Sequence, residues 1–91
     1  MNPSTHKAKV YAAVLSRPNE WLTHEQIVRI ATGVALRTVR EHAKSLADAG
    51  LLERKWAFPS TYYRVVADVP EHARELRDAL MLAASLASNK V

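Results

Sequence analysis

The stretch GVALRTVREHAKSLADAGLLERK, residues 33–55, restricts the fold of this chain more than any other segment. With Val39 set at zero on a wheel of about 100° per residue, Ala35, Leu36, Val39, His42, Ala43 and Leu46 fall within about 60° of it. Arg37, Glu41, Lys44 and Asp48 fall on the far side, with Thr38 and Arg40 flanking them. This pattern predicts an amphipathic helix over residues 35–49. Gly50 then supplies the left-handed residue on which helices commonly end. The leucines that follow predict a strand, with Leu51 or Leu52 pinning it to the helices.

The neighbouring segments carry equally local signals. THKAKVYAAVLS, residues 5–16, spaces Ala8, Tyr11, Ala12 and Leu15 by three and four, with Val14 beside them, and reads as a helix. It ends at Arg17-Pro18-Asn19, because proline disfavours helical geometry in the residue before it. Trp21 and Leu22 are too brief for a helix and predict an isolated strand. Thr23-His24-Glu25-Gln26 has the form of a capping box, opening a short helix that buries Ile27, Ile30 and Ala31. Thr32-Gly33 breaks that helix. LLERKWA and TYYRVV, separated by Phe58-Pro59-Ser60, predict a hairpin. Trp56 and one tyrosine are expected in its core rather than as a base-stacking platform. Pro70 restarts a helix that runs over residues 70–89, with Glu71 where the helix dipole favours an acid.

Charge divides unevenly along this order. Residues 1–66 hold ten Lys and Arg against five Asp and Glu, whereas residues 67–91 hold three against four. The basic excess therefore lies beside the amphipathic helix, as expected of a polyanion binder. The composition is 48% hydrophobic and 24% charged, far from that of disordered chains. Neither a signal peptide nor a membrane span is legible, and the chain lacks cysteine. A cytoplasmic protein is the expectation. His6, His24, His42 and His72 show no spacing that builds a tetrahedral metal site. There is no phosphate-cradling glycine loop, nucleophile elbow or paired carboxylates, so no enzyme, metal or cofactor is expected.

Helix, short strand, helix, tight corner, helix, hairpin, helix is an α+β, mainly helical order. Residues 23–66 resemble the winged helix-turn-helix of small bacterial transcription regulators of the MarR/ArsR-like kind. The residues that carry the resemblance are Thr32-Gly33-Val34, Arg37-Thr38-Val39-Arg40, Leu46, and Ala49-Gly50-Leu51-Leu52-Glu53-Arg54. Two positions depart from the pattern. Ala35 stands where Ser or Thr usually caps the second helix, and Ala43 stands where leucine is usual. Trp21 is a candidate to fill the space that Ala43 leaves.

The resemblance implies one winged-helix domain over residues 1–91, with a DNA-binding core at 5–66. The expected activity is sequence-specific binding of double-stranded DNA, with a repressor-like role in transcription regulation. An α-helix fits the major groove, where Arg and Lys reach base acceptors. Arg37 and Thr38 lie at the leading end of the helix, and Arg40 and Lys44 further along. Glu41 either accepts from a cytosine amino group or pairs with Arg37. In the wing, Arg54, Lys55 and Arg64 are expected on phosphate or in the minor groove, and Ser60 and Thr61 have hydroxyls to donate. The alternatives are a plasmid or phage partition or replication protein, and a winged helix used as a protein-interaction module. No small-molecule effector is identifiable.

The last helix is apolar around much of its circumference. Ala73, Leu76, Leu80, Ala83 and Ala87 form one stripe, and Ala79, Met81, Leu82 and Leu86 add further positions. That surplus predicts a C-terminal dimerisation helix, with Leu76, Leu80, Leu82, Ala83 and Leu86 against a second copy. Burial within one chain is the competing explanation.

Overall fold

The computed structural model describes residues 3–88, with side chains described for 5–85. Helix α1 spans Pro3–Leu15, α2 His24–Ile30 and α3 Leu36–Asp48. Strands β1, Leu52–Ala57, and β2, Ser60–Val65, form an antiparallel hairpin, and α4 spans Glu71–Ser88. The described residues are thus α+β, with four helices and a two-stranded sheet.

Each boundary follows from a local interaction. Helix α1 starts two residues before the expected Thr5, because Pro3 suits a first helical turn, where its missing N–H is not needed. The capping box at α2 forms in full. Thr23 Oγ1 accepts from the Gln26 amide at 3.2 Å, and Gln26 Oε1 accepts from the Thr23 amide at 2.8 Å. Ala35 caps α3 without any side-chain hydrogen bond, and α3 begins at Leu36.

The other end of α3 is closed by two hydrogen bonds. The Gly50 amide donates to the Ala47 carbonyl at 3.1 Å, and the Leu51 amide to the Leu46 carbonyl at 3.0 Å. This is the Schellman arrangement, and it brings Leu51 back beside Leu46, both with no exposed surface. Gly50 carries φ +91°, and a Cβ built there would lie 3.3 Å from Pro70 Cγ. Gly33 turns the corner before α3 with φ +86°, where a Cβ would meet only Lys9 Nζ at 3.9 Å. Gly50→Ala is therefore expected to lose about 1–2 kcal/mol of conformational stability plus the cost of displacing Pro70. Gly33→Ala is expected to lose the conformational part alone. Paired thermal melts check this ordering, and equal midpoints for the two variants refute it.

The core is one cluster spanning all the elements. Helix α1 lies at its centre, packed against α4, α3, α2 and β2. For that reason it buries Val10 and Ala13 as well as the expected Ala8, Tyr11 and Val14. From α3 the buried residues are Val39, Ala43 and Leu46. Leu51 and Leu52 are both buried and anchor β1. Leu22 pairs with Tyr63 in an isolated antiparallel bridge, with both backbone hydrogen bonds at 2.8 Å. This bridge places residue 22 beside β2, which is thereby flanked on both sides.

Several expectations are corrected. The hairpin turn is Phe58-Pro59, because Ser60 already pairs with Ala57, and the strands are 52–57 and 60–65 instead of 51–57 and 61–66. Trp56 is not in the core. It is 66% exposed, because β1 is the outer strand and buries only Leu52. The tyrosine that is buried is Tyr63, on the inner strand. Trp21 does not occupy space beside Ala43; its ring lies against the hairpin cations Lys55 and Arg64.

Helix α4 spends most of its apolar stripe on this chain. Of the dimerisation candidates, Leu80 is buried in this chain's own core, and Leu76 and Ala83 are half-buried against it, with α1 the helix that packs on α4. Leu82 is 62% exposed and faces outward. The side chains of Leu86 and Ala87, and residues 89–91, lie outside those described. Among the described residues no helix is long and apolar enough to cross a membrane.

Candidate nucleic-acid interface

The capped corner between α2 and α3 turns one face of α3 outward. Arg37, Arg40, Glu41 and Lys44 are exposed on it, while Thr38 is half-buried. The alternative role of Glu41, as partner of Arg37, is not realised. Among the described residues neither forms an ion pair, and the same holds for Arg40 and Lys44. Three cations on one helix face thus keep their hydrogen-bonding capacity for an outside ligand. Ser45, toward the far end of α3, accepts a 2.8 Å hydrogen bond from Lys7 Nζ, which ties α1 to α3.

The hairpin cations differ from those of α3. Glu53 stands opposite Arg64 and Lys55 opposite Tyr62, so these four side chains share a sheet face. Arg64 donates to both Glu53 oxygens, at 3.1 and 3.4 Å. Lys55 Nζ and the Arg64 guanidinium each lie 4.3 Å from the centroid of the Trp21 ring. An exposed cation–π contact contributes about 0.5–1 kcal/mol, and an exposed ion pair about 0.2–1 kcal/mol. These contacts fix the direction of the hairpin, and they occupy two of its three basic side chains. Arg54, opposite Tyr63, is exposed and has no ion-pair partner among the described residues.

Between α3 and the hairpin lies a small polar cleft of about 220 Å³. Arg40 lines it from α3, His24 and Glu25 from α2, and Trp56, Ser60 and Thr61 from the hairpin. Three of these, His24, Glu25 and Trp56, are absent from the sequence-based site. The Leu22–Tyr63 bridge brings the start of α2 to the hairpin; the sequence marks Trp21-Leu22 as an isolated strand but carries no signal of the strand it pairs with. The rings of His24 and Tyr63 are 5.2 Å apart, with Nε2 3.4 Å from the phenol oxygen.

Burial holds the His24 pKa below its ordinary value, helped by Arg40 and opposed by Glu25. His42, on the edge of the buried face of α3, is also lowered, first by burial and then by Lys7, with Glu41 opposing and His6 adding a smaller push. Both imidazoles therefore bind protons more readily in the unfolded chain. Their contribution to stability is complete above about pH 6.5 and is lost as the pH falls through their lowered folded values. The thermal midpoint is expected to drop between about pH 7 and pH 5. A His24→Gln/His42→Gln variant should show a smaller drop, and an unchanged pH profile would exclude these two groups as its source.

Among the described residues no group of three or more His, Asp or Glu is placed to hold a metal ion. No protein-family model matches this chain, and no curated protein matches it in sequence.

Proposed function

We propose that this chain is a winged helix-turn-helix protein that binds double-stranded DNA in a sequence-specific way and regulates transcription as a homodimer. In this reading α2 and α3 are the helix-turn-helix, α3 enters the major groove, and the β1–β2 hairpin is the wing. The observation that carries it is the exposed set Arg37, Arg40 and Lys44, without an ion pair among the described residues, on a helix whose opposite face, Val39, Ala43 and Leu46, is wholly buried. An arginine on such a face can meet guanine O6 and N7 with two parallel donors. Arg40, Ser60 and Thr61, around the cleft, supply donors where a phosphate rim would pass. Arg54 adds a cation from the hairpin. Lys55 and Arg64 supply field and hairpin direction, since both are engaged with Trp21.

The two-fold assembly now rests on a smaller surface than the whole of α4. Among the described side chains of α4, Leu82 and Met81 are the exposed large apolar residues, at 62% and 46%. A pair of such chains would set two α3 helices about one duplex turn, roughly 34 Å, apart. Selection of bound fragments from a random duplex pool should recover an inverted repeat with that spacing, and light scattering should return twice the chain mass. A pool with no enriched sequence refutes base reading. A monomer at high concentration refutes the two-fold arrangement.

A further inference from the structure

The tip of the hairpin exposes two large aromatic side chains that the core does not use. Trp56 is 66% and Phe58 87% exposed, in a chain with six Trp, Tyr and Phe residues altogether. Their ring centroids are 6.4 Å apart at 82°, an edge-to-face pair in which each ring braces the other. Pro59, beside them, is exposed as well. Only Leu52 of β1 is buried; the five residues after it, about 16 Å of strand, are exposed, and Trp56 among them borders the cleft in front of α2 and α3. An apolar tip at the end of a projecting arm, held in direction by Trp21, is built to touch something.

Its surroundings indicate the chemistry of the partner. Trp56 lines the same cleft as Arg40 of α3, and Arg54 lies two residues before it on the same sheet face. The acid nearest in the strand, Glu53, is neutralised by Arg64. Glu25 is the one acid among the residues lining that cleft, against Arg40 and Arg54 beside the tip. The border of the aromatic tip thus carries a cationic excess, and its complement is an apolar slot between negative walls. The minor groove has that character: stacked bases form its floor, and phosphates line both rims. Apolar side chains inserted there separate adjacent base pairs and kink the duplex.

We propose that Trp56 and Phe58 form a wedge that enters the minor groove next to the major groove occupied by α3, opens one base step and bends the DNA. This rests on the duplex-binding reading above. The wedge favours pyrimidine–purine steps, which unstack most readily. It contributes affinity and bending at a position where no base edge is read.

The test uses the full chain carrying Trp21→Phe, which leaves Trp56 as the sole tryptophan, and a duplex with TA steps labelled at both ends for energy transfer. Saturation with duplex should quench Trp56 emission and bring the DNA ends closer. Adding Trp56→Ala and Phe58→Ala should weaken binding at least about fivefold and abolish the change in energy transfer. Both side chains are exposed, so circular dichroism should show an intact fold, and Trp56→Phe should retain most of the bend. Duplex binding with unchanged Trp56 emission, no bend and equal affinity for the double variant overturns the wedge and leaves the duplex reading standing. Trp56 emission that ignores duplex yet shifts with poly-glutamate assigns the tip to an acidic protein partner and overturns it too. A chain that binds no duplex at low salt overturns both proposals.

Discussion

Arg37→Ala and Arg40→Ala are each expected to weaken binding to the selected DNA site by about 5- to 150-fold, the range of one lost bidentate base contact of about 1–3 kcal/mol. Random-sequence duplex should lose much less, because there these side chains supply only charge. Neither residue is buried or ion-paired among the described residues, so melting temperature should not move and the loss reads the interface alone. The hairpin supplies the control. Arg54→Ala should weaken specific and random duplex alike and reduce the salt slope by about 0.9. Arg64→Ala removes a side chain already committed to Glu53 and Trp21, so part of its effect is expected in stability. Equal losses on both duplexes from the Arg37 change, measured by anisotropy at one salt concentration, would show that α3 contributes charge and not base reading.

Leu46→Ala is expected to cost about 2–5 kcal/mol, a large share of the roughly 5–15 kcal/mol that holds a domain of this size together. The residue has no exposed surface, and its carbonyl accepts from Leu51, whose side chain is equally buried. Alanine is the best helix former, so the substitution leaves α3 locally content and removes packing only. The hole opens where α3 hands over to β1. The site's own residues are untouched, yet DNA binding should fail at temperatures where the parent chain still binds. Denaturant unfolding gives the number. A loss under about 1 kcal/mol would mean that this end of α3 contributes far less to the core than its burial indicates.

The α3 substitutions fall in parts of the molecule that are legible in the sequence. The apolar stripe of α3, the Thr23 capping box and the Gly50 stop are short-range devices, each complete within a few residues. The last two form as read, and the stripe does so through Val39, Ala43 and Leu46, while Ala35 is exposed at the cap and Leu36 and His42 are half-buried. The outward face that carries Arg37, Arg40 and Lys44 also forms as read. What escaped the reading depends on segments distant along the chain. Trp56 was expected inside because it is large and apolar, but depth in a hairpin is set by which strand lies inward. That order is fixed by the bridge between Leu22 and Tyr63. The same bridge brings Trp21 to Lys55 and Arg64 and carries His24 to the cleft, so one unpredictable pairing hid several side-chain roles. How the apolar surplus of α4 divides between this chain and a second copy is hidden for a related reason. Periodicity shows how much of a helix is apolar, but it does not show that Leu80 is buried and Leu76 and Ala83 half-buried against the core of the same chain.

The role of the tethered cations follows from that geometry. The sequence does not distinguish the three basic residues of the hairpin, whereas Lys55 and Arg64 sit over one indole and Arg54 does not. A long, mobile side chain pays conformational entropy when it is immobilised on a ligand. Holding two of them on Trp21 beforehand stiffens the arm that presents Trp56 and Phe58, and leaves Arg54 and the α3 cations to adapt to the partner.

The most direct test of a helix face that enters a duplex is a salt titration of the unmodified chain with labelled random-sequence DNA. Saturable binding at about 50 mM salt that weakens at least about tenfold by about 200 mM is the expected result, as cations displace condensed counterions. No binding at the lower concentration, with the chain folded, would refute it.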